Sequence, residues 1–111
     1  AMTRTQMTQN TSSLSFGNLS LNQTSFELSS PSGSYQLTNK EFQLLELLMA
    51  NPGQVISSDR LFEKIWGYES DADPSVIWVY ISYLRKKLTA LNASVRIRAI
   101  RNAGYRLEEI Q

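Results

Sequence analysis

The chain of 111 residues contains no cysteine and no histidine. These two absences exclude a disulfide scaffold, a zinc site built from Cys or His, and catalysis that depends on either side chain. The lack of cysteine also fits a reducing compartment. No apolar run approaches the roughly 20 residues of a membrane span, and the polar N-terminus does not resemble a secretory signal. We therefore expect a protein that works in the cytoplasm.

The N-terminal segment is poor in apolar side chains and has no aromatic residue. Ala1 precedes Met2, which indicates a cloning scar, and the following residues are mostly Thr, Gln, Asn and Ser. Such a composition cannot bury enough surface to order itself. The sequence therefore predicts a scar and flexible interdomain linker over residues 1–13 and one folded domain over residues 14–111. A fragment of a longer protein is expected.

The charge is nearly balanced in number but uneven along the chain. The formal net charge is +1, yet residues 85–106 contain seven basic side chains and no acid. The seven are Arg85, Lys86, Lys87, Arg96, Arg98, Arg101 and Arg106. A basic block on a near-neutral domain favours one face that meets a polyanion, although a solvated helix end and strand are the simpler alternative.

The first third of the chain has the pattern of short strands. Four alternating apolar runs between Leu14 and Thr38 are separated by turn residues such as Gly17-Asn18 and Pro31-Ser32-Gly33. An alternation of period two indicates strands with one buried face. We therefore predict a four-stranded antiparallel sheet.

Three helices and a hairpin follow. Thr38 or Asn39 caps the first helix, which stops at Asn51-Pro52-Gly53, and Ser57 or Ser58 caps the second, which ends at Gly67. The third helix is predicted to run from Pro74 to about Leu91. Its apolar stripe consists of Ile77, Ile81, Leu84 and Leu88. Two extended runs, Val95 to Arg101 and Tyr105 to Glu108, flank a hairpin loop.

This order of elements predicts an α+β fold of the winged helix-turn-helix type. A helix fits the major groove of B-DNA, where the base edges can be distinguished, and the preceding helix touches the backbone. An arginine at a hairpin tip can enter the narrow minor groove of A·T-rich DNA. The third helix is the predicted reader, and Arg101 occupies the hairpin tip.

Four segments resemble the OmpR/PhoB family of response regulators, in the family's order. They are Leu37 to Leu45, Leu61 to Gly67, Val79 to Leu88 and Ile100 to Leu107. The resemblance implies a C-terminal DNA-binding output domain whose receiver domain, absent here, is phosphorylated by a sensor kinase. It also implies that a homodimer binds double-stranded promoter DNA at direct repeats.

Together with the exposed helix face, the resemblance predicts a set of DNA-contacting side chains. The set is Trp66, Ser75, Trp78, Val79, Ser82, Tyr83, Arg85, Lys86, Arg101 and Tyr105. Trp66 is expected to donate its indole N–H to a phosphate, and Tyr105 its hydroxyl. In the family the loop before the third helix often contacts RNA polymerase. Tyr68, Glu69, Asp71 and Asp73 are the matching positions.

The chain departs from the family pattern at three positions. Trp78 stands where an acid is usual, Tyr83 where a basic or polar reader is common, and Asn102 where the wing usually has glycine. An indole or phenol edge packs well on a thymine methyl group. Base reading is therefore expected to depend more on apolar contact and DNA shape.

Other functions fit this sequence less well than DNA binding by a response regulator. An enzyme is disfavoured because, without His or Cys, the clustered acids of residues 68–73 lie in one loop with no phosphate-binding glycines nearby. Asp71 and Asp73 lack the spacing of a calcium loop, so no metal or cofactor is expected. Two alternatives stay open: a one-component, membrane-linked regulator, and a winged-helix module that binds protein.

Overall fold

The computed structural model describes residues 13–67 and 71–110. The predicted linker, apart from Ser13, and the predicted loop residues Tyr68 and Glu69 lie outside these ranges. Ser13, expected at the end of the linker, is the first residue of a strand and pairs with Asn22. Within the described ranges the chain forms six strands and three helices, which confirms the predicted α+β winged-helix class.

The four N-terminal strands form one antiparallel sheet in sequence order. Their bounds are β1 Ser13–Phe16, β2 Leu19–Asn22, β3 Glu27–Ser30 and β4 Gly33–Gln36. Alternation places Leu19, Leu21 and Leu28 on the face that packs against the helices, where each is buried. The sheet therefore covers one side of the helical core.

Helices α1 (Asn39–Ala50) and α2 (Ser58–Ile65) both begin at capped N-termini. The Thr38 hydroxyl accepts from the Glu41 backbone N–H, and the Glu41 carboxylate accepts from the Thr38 N–H, which completes a capping box. The Ser57 hydroxyl accepts from the Arg60 N–H. These caps select Thr38 and Ser57 from the two pairs of candidates that the sequence offered.

Helix α3 (Val76–Ala90) begins two residues later than predicted. Pro74 lies in the turn before it, where backbone N–H groups bond to carbonyls three residues back. The predicted stripe of Ile77, Ile81, Leu84 and Leu88 is buried, as expected. Because this stripe packs into the core, the opposite side of α3 faces outward.

Strands β5 (Val95–Ile100) and β6 (Gly104–Glu109) form the C-terminal hairpin. The short extended segment before α2 joins the hairpin near its tip, because Ile56 and Tyr105 exchange backbone hydrogen bonds of 2.8 and 3.0 Å. A Cβ on Gly104 would clash with the Ile56 carbonyl, so the close approach of these two segments requires glycine. The wing is thereby attached to the helix-turn-helix rather than free.

Candidate nucleic-acid interface

The outward side of α3 carries unusually large side chains. Trp78 is 63% exposed, Tyr83 47% and Val79 38%. With 100° between successive residues, Ser75, Val79, Ser82 and Lys86 follow the line opposite the buried stripe. Trp78 and Arg85 lie on one flank of this line and Tyr83 on the other. The predicted contact residues of α3 therefore share one open surface.

Trp66 lies at the end of α2 in a row of aromatic rings. It stacks on Phe62 with ring centroids 5.6 Å apart and meets the edge of Tyr80 at 5.3 Å. Lys40 Nζ is 5.2 Å from the Trp66 ring and donates to the Ile65 carbonyl at 2.8 Å. The half-buried ring thus packs α2 against α3 and against a cation from α1.

Sequence reasoning missed most of this row. Tyr80 continues it to Tyr83, with centroids 5.7 Å apart. The signal was present in part, because Phe62 and Trp66 are four residues apart and Tyr80 and Tyr83 are three, the spacings at which helix neighbours touch. The contact between the two pairs depends on how α2 and α3 cross, which the spacing does not report.

Arg85 connects the reader helix to the wing. Its Nε donates to the Ile97 carbonyl of β5 at 3.2 Å, although the side chain was predicted only as a DNA contact. A guanidinium has five N–H donors, so this bond uses one of them. The rest of the group lies at an exposed position beside Arg96 and Arg98.

The wing tip is a short turn with Arg101 exposed at its start. Asn102 has φ 63°, a left-handed conformation that asparagine tolerates better than most residues. The departure from glycine at this position is therefore compatible with the turn. The Ala103 N–H donates to the Ile100 carbonyl and closes it. Tyr105, one step below, is half-buried.

One member of the basic block points away from the open surface. Lys87 Nζ is 2.7 Å from Glu41 Oε1, and the Glu41 side chain is only 5% exposed. Burial raises the pKa of the Glu41 carboxyl, but the hydrogen bonds from Lys87 and Thr38 and the charge on Lys87 outweigh it and leave the pKa below its ordinary value. Lys87 thus neutralises a buried carboxylate between α1 and α3.

The predicted polymerase loop is represented here by its last residues. The Asp73 carboxylate accepts from the Ser75 N–H at 2.9 Å, and this hydrogen bond holds the pKa of Asp73 below its ordinary value. Asp73 therefore satisfies a backbone donor at the entry to α3, where the Ser75 side chain forms no cap. Asp71 is exposed.

The described residues contain no group of three or more His, Cys, Asp or Glu side chains placed to hold a metal ion. In the same part of the chain, no helix has the length and apolar character of a membrane span.

A reader helix, a preceding helix and a tethered basic hairpin define a winged-helix DNA-binding domain. The family of C-terminal domains of transcriptional regulatory proteins matches residues 32–107, well over half of the chain. The chain belongs to this family, which is the OmpR/PhoB type expected from its motifs. It is thus an output domain of transcriptional regulation.

Relatives and solved structures agree with this assignment. The heme response regulator HssR of Staphylococcus saprophyticus is 48% identical over 96 residues, which cover 86% of this chain and 43% of that protein. The C-terminal domain of the nisin resistance regulator NsrR is 31% identical with a TM-score of 0.73, covering 88% of this chain and 99% of that one. The chain spans less than half the length of the curated relatives it matches.

One neighbour was solved with its DNA site. The RstA DNA-binding domain of Klebsiella pneumoniae, in complex with the RstA box, is 29% identical with a TM-score of 0.72. The alignment covers 86% of this chain and 96% of that domain. The fold of the described residues is therefore one that a related DNA-binding domain uses in complex with its box.

Proposed function

We propose that this domain recognises a specific duplex sequence by laying α3 in the major groove and the wing tip in the minor groove. The observation that carries the proposal is the Arg85–Ile97 bond, which fixes the exposed side of α3 to the wing strand. Arg101 follows Ile97 by four residues, roughly 13 Å along the strand. One duplex can therefore meet both elements at once.

The residue roles follow from position and chemistry. Ser75, Ser82 and Lys86 lie along the centre of the open side of α3, where hydroxyl and ammonium groups suit phosphates and base edges. Trp78, Val79 and Tyr83 offer apolar surface to bases, and Arg85 adds a cation at the wing side. Arg101 enters the minor groove. Trp66 and Tyr105, each half-buried, retain a polar atom for the backbone phosphates.

The wider assembly is also a proposal. The relatives named response regulators support a parent protein in which a receiver domain, phosphorylated by a sensor kinase, controls this domain. The neighbour solved in complex with the RstA box supports DNA as the target. The family resemblance adds that the target is promoter DNA, read by a homodimer at direct repeats. RNA polymerase is the proposed partner of the loop from Tyr68 to Asp73. Such a protein acts in the cytoplasm, where bacterial promoters are.

Selection of bound duplexes from random DNA, followed by a salt titration on the selected site, tests the DNA-binding proposal. If the domain neutralises about four phosphates, a plot of log affinity against log salt concentration has a slope of about −3.6. Arg101→Ala is expected to cost about 1–3 kcal/mol and to relax preference at A·T-rich flanks.

Arg101→Lys is the matched control, because it keeps the charge and therefore most of the salt slope while losing the planar guanidinium. No enriched sequence and a flat salt response would instead indicate a module that binds protein. An enriched site with Arg101→Ala indistinguishable from the parent would remove the wing tip from the interface.

A further inference from the structure

Three arginines and one glutamate share the outer face of the wing. In the antiparallel register Arg96 lies opposite Glu108 and Arg98 opposite Arg106. Side chains two apart on a strand point to the same side, while Ile97 and Leu107 between them are buried. We call Arg96, Arg98, Arg106 and Glu108 the outer wing cluster.

One carboxylate holds the three cations of this cluster together. Arg106 Nε donates to Glu108 Oε1 at 2.8 Å, and Arg96 Nη2 is 2.9 Å from Oε2. Arg98 Nη1 is more distant, at 3.6 Å from the same oxygen. The arginines hold the pKa of Glu108 below its ordinary value, chiefly through the hydrogen bond from Arg106. The carboxylate stays charged and the cluster keeps two uncompensated positive charges.

The hydrogen-bonding capacity of the cluster is far from exhausted. Each guanidinium offers five N–H donors, whereas one carboxylate has about four lone-pair sites. The Arg96 and Arg98 side chains remain 55% and 52% exposed despite their ion pairs. The cluster therefore presents fixed, outward donors suited to a further anion with several oxygens.

The cluster is continuous with the proposed DNA-binding surface. Arg96 and Arg98 border a shallow depression with Arg85 of α3. Along β5 the arginines at 96 and 98 lead to Arg101 at the tip, about 16 Å from Arg96 in an extended strand. The four side chains of the cluster line a cleft together with Pro52 and Gly53, and Glu109 borders the same cleft. The positive surface thus extends from α3 and the wing tip to this cleft, where Glu109 adds one further negative charge.

We propose that the outer wing cluster is a second phosphodiester-binding site, which takes the DNA backbone flanking the segment held by α3 and the wing tip. Glu108 keeps the guanidinium groups side by side and lowers their mutual repulsion. The inference rests on the proposed DNA binding. Continuity with α3 favours nucleic acid over an acidic protein surface as the anion.

The test compares Arg96→Gln/Arg98→Gln with the parent domain on two duplexes, both carrying the selected site. One ends at the bases protected by α3 and the wing tip, and the other extends about one helical turn on the wing side. On the extended duplex the double variant should lose affinity about tenfold or more at low salt. The slope of its log affinity against log salt concentration should be shallower by about 1.8, since each lost phosphate contact removes about 0.9. On the short duplex the two proteins should bind alike.

Arg96→Lys/Arg98→Lys is the control for charge, and it should keep most of the slope on the extended duplex. A thermal melt of each variant without DNA checks that the hairpin stays folded. Equal affinity and slope for parent and glutamine variant on the extended duplex would overturn the proposal, as would loss by the glutamine variant on both duplexes alike. In either case binding by the parent leaves the proposed function intact, whereas failure of the parent to bind removes the proposed function itself.

Discussion

At the scale of single residues, the reader helix is notable for what it offers to base edges. Its open side carries one arginine, whose Nε is already bonded to the wing, and one lysine. Asparagine and glutamine, which pair bidentately with adenine, do not occur in Val76–Ala90. The largest exposed groups there are instead the rings of Trp78 and Tyr83. Apolar contact with thymine methyl groups is the reading chemistry that these side chains support.

Replacing thymine by deoxyuridine tests that reading atom by atom. Each methyl group packed against Trp78 should contribute about 0.8 kcal/mol, so its loss should weaken binding about fourfold. The measurement is the affinity of the domain for a set of duplexes in which each thymine of the selected site is replaced in turn. In Trp78→Ala, the sensitive position should no longer respond to the replacement.

Thr89→Ala is a suitable control, because Thr89 is exposed on the same helix about 16 Å further along its axis. It should retain the full pattern of uridine sensitivity. If no thymine position responds in the parent domain, apolar base reading by Trp78 is wrong.

At the scale of elements, the local patterns carried most of the information. Alternation, N-caps and the stripe from Ile77 to Leu88 predicted each strand and helix, and the differences are confined to ends such as Ser13 and Pro74. The contacts between elements were not predictable in this way. Glu41 and Lys87 are 46 residues apart, and nothing in either local pattern indicates that α1 and α3 bring them together.

The ion pair between these two helices gives a testable stability effect. Lys87→Met leaves the Glu41 carboxylate buried with only its capping partner, and should cost about 1–2 kcal/mol at neutral pH. The pKa of Glu41 is lower in the folded protein than its ordinary value of 4.5. The ionised carboxylate therefore adds to the free energy of unfolding above pH 4.5, and this stabilisation is lost as the pH falls through the folded-state pKa. As the pH falls below 4.5, Lys87→Met should therefore lose less of its free energy of unfolding than the parent domain does.

Urea unfolding of the parent domain and of Lys87→Met, from neutral pH to below 4.5, provides the measurement. Lys86→Met, one residue away at an exposed position, should change the free energy of unfolding by less than about 0.5 kcal/mol. Equal stability of Lys87→Met and Lys86→Met would show that the contact does not hold α1 to α3.

At the scale of the whole molecule, the basic side chains of residues 85–106 lie in different parts of the structure and have different partners. Lys87 binds the buried Glu41, Arg96 and Arg106 bind Glu108, and Arg101 stays exposed at the wing tip. The count of charges predicted a polyanion surface but not its division, since the division depends on strand register and helix crossing. The fold was thus more predictable than the site.

The placement of these basic side chains also determines how DNA should affect the stability of the domain. Most of them are held by partners in the folded state only, so the folded domain binds duplex and the unfolded chain has no such surface. A selected duplex at about 100 times its dissociation constant should then stabilise the domain by about 2.7 kcal/mol. For a domain of this size that raises the melting temperature by roughly 10–20 °C. The rise should shrink steeply with added salt, because each phosphate contact weakens as counterions compete.

A scrambled duplex of equal length should give a much smaller rise in melting temperature at the same concentration. Equal shifts with both duplexes would show that the α3 surface attracts DNA without reading its sequence.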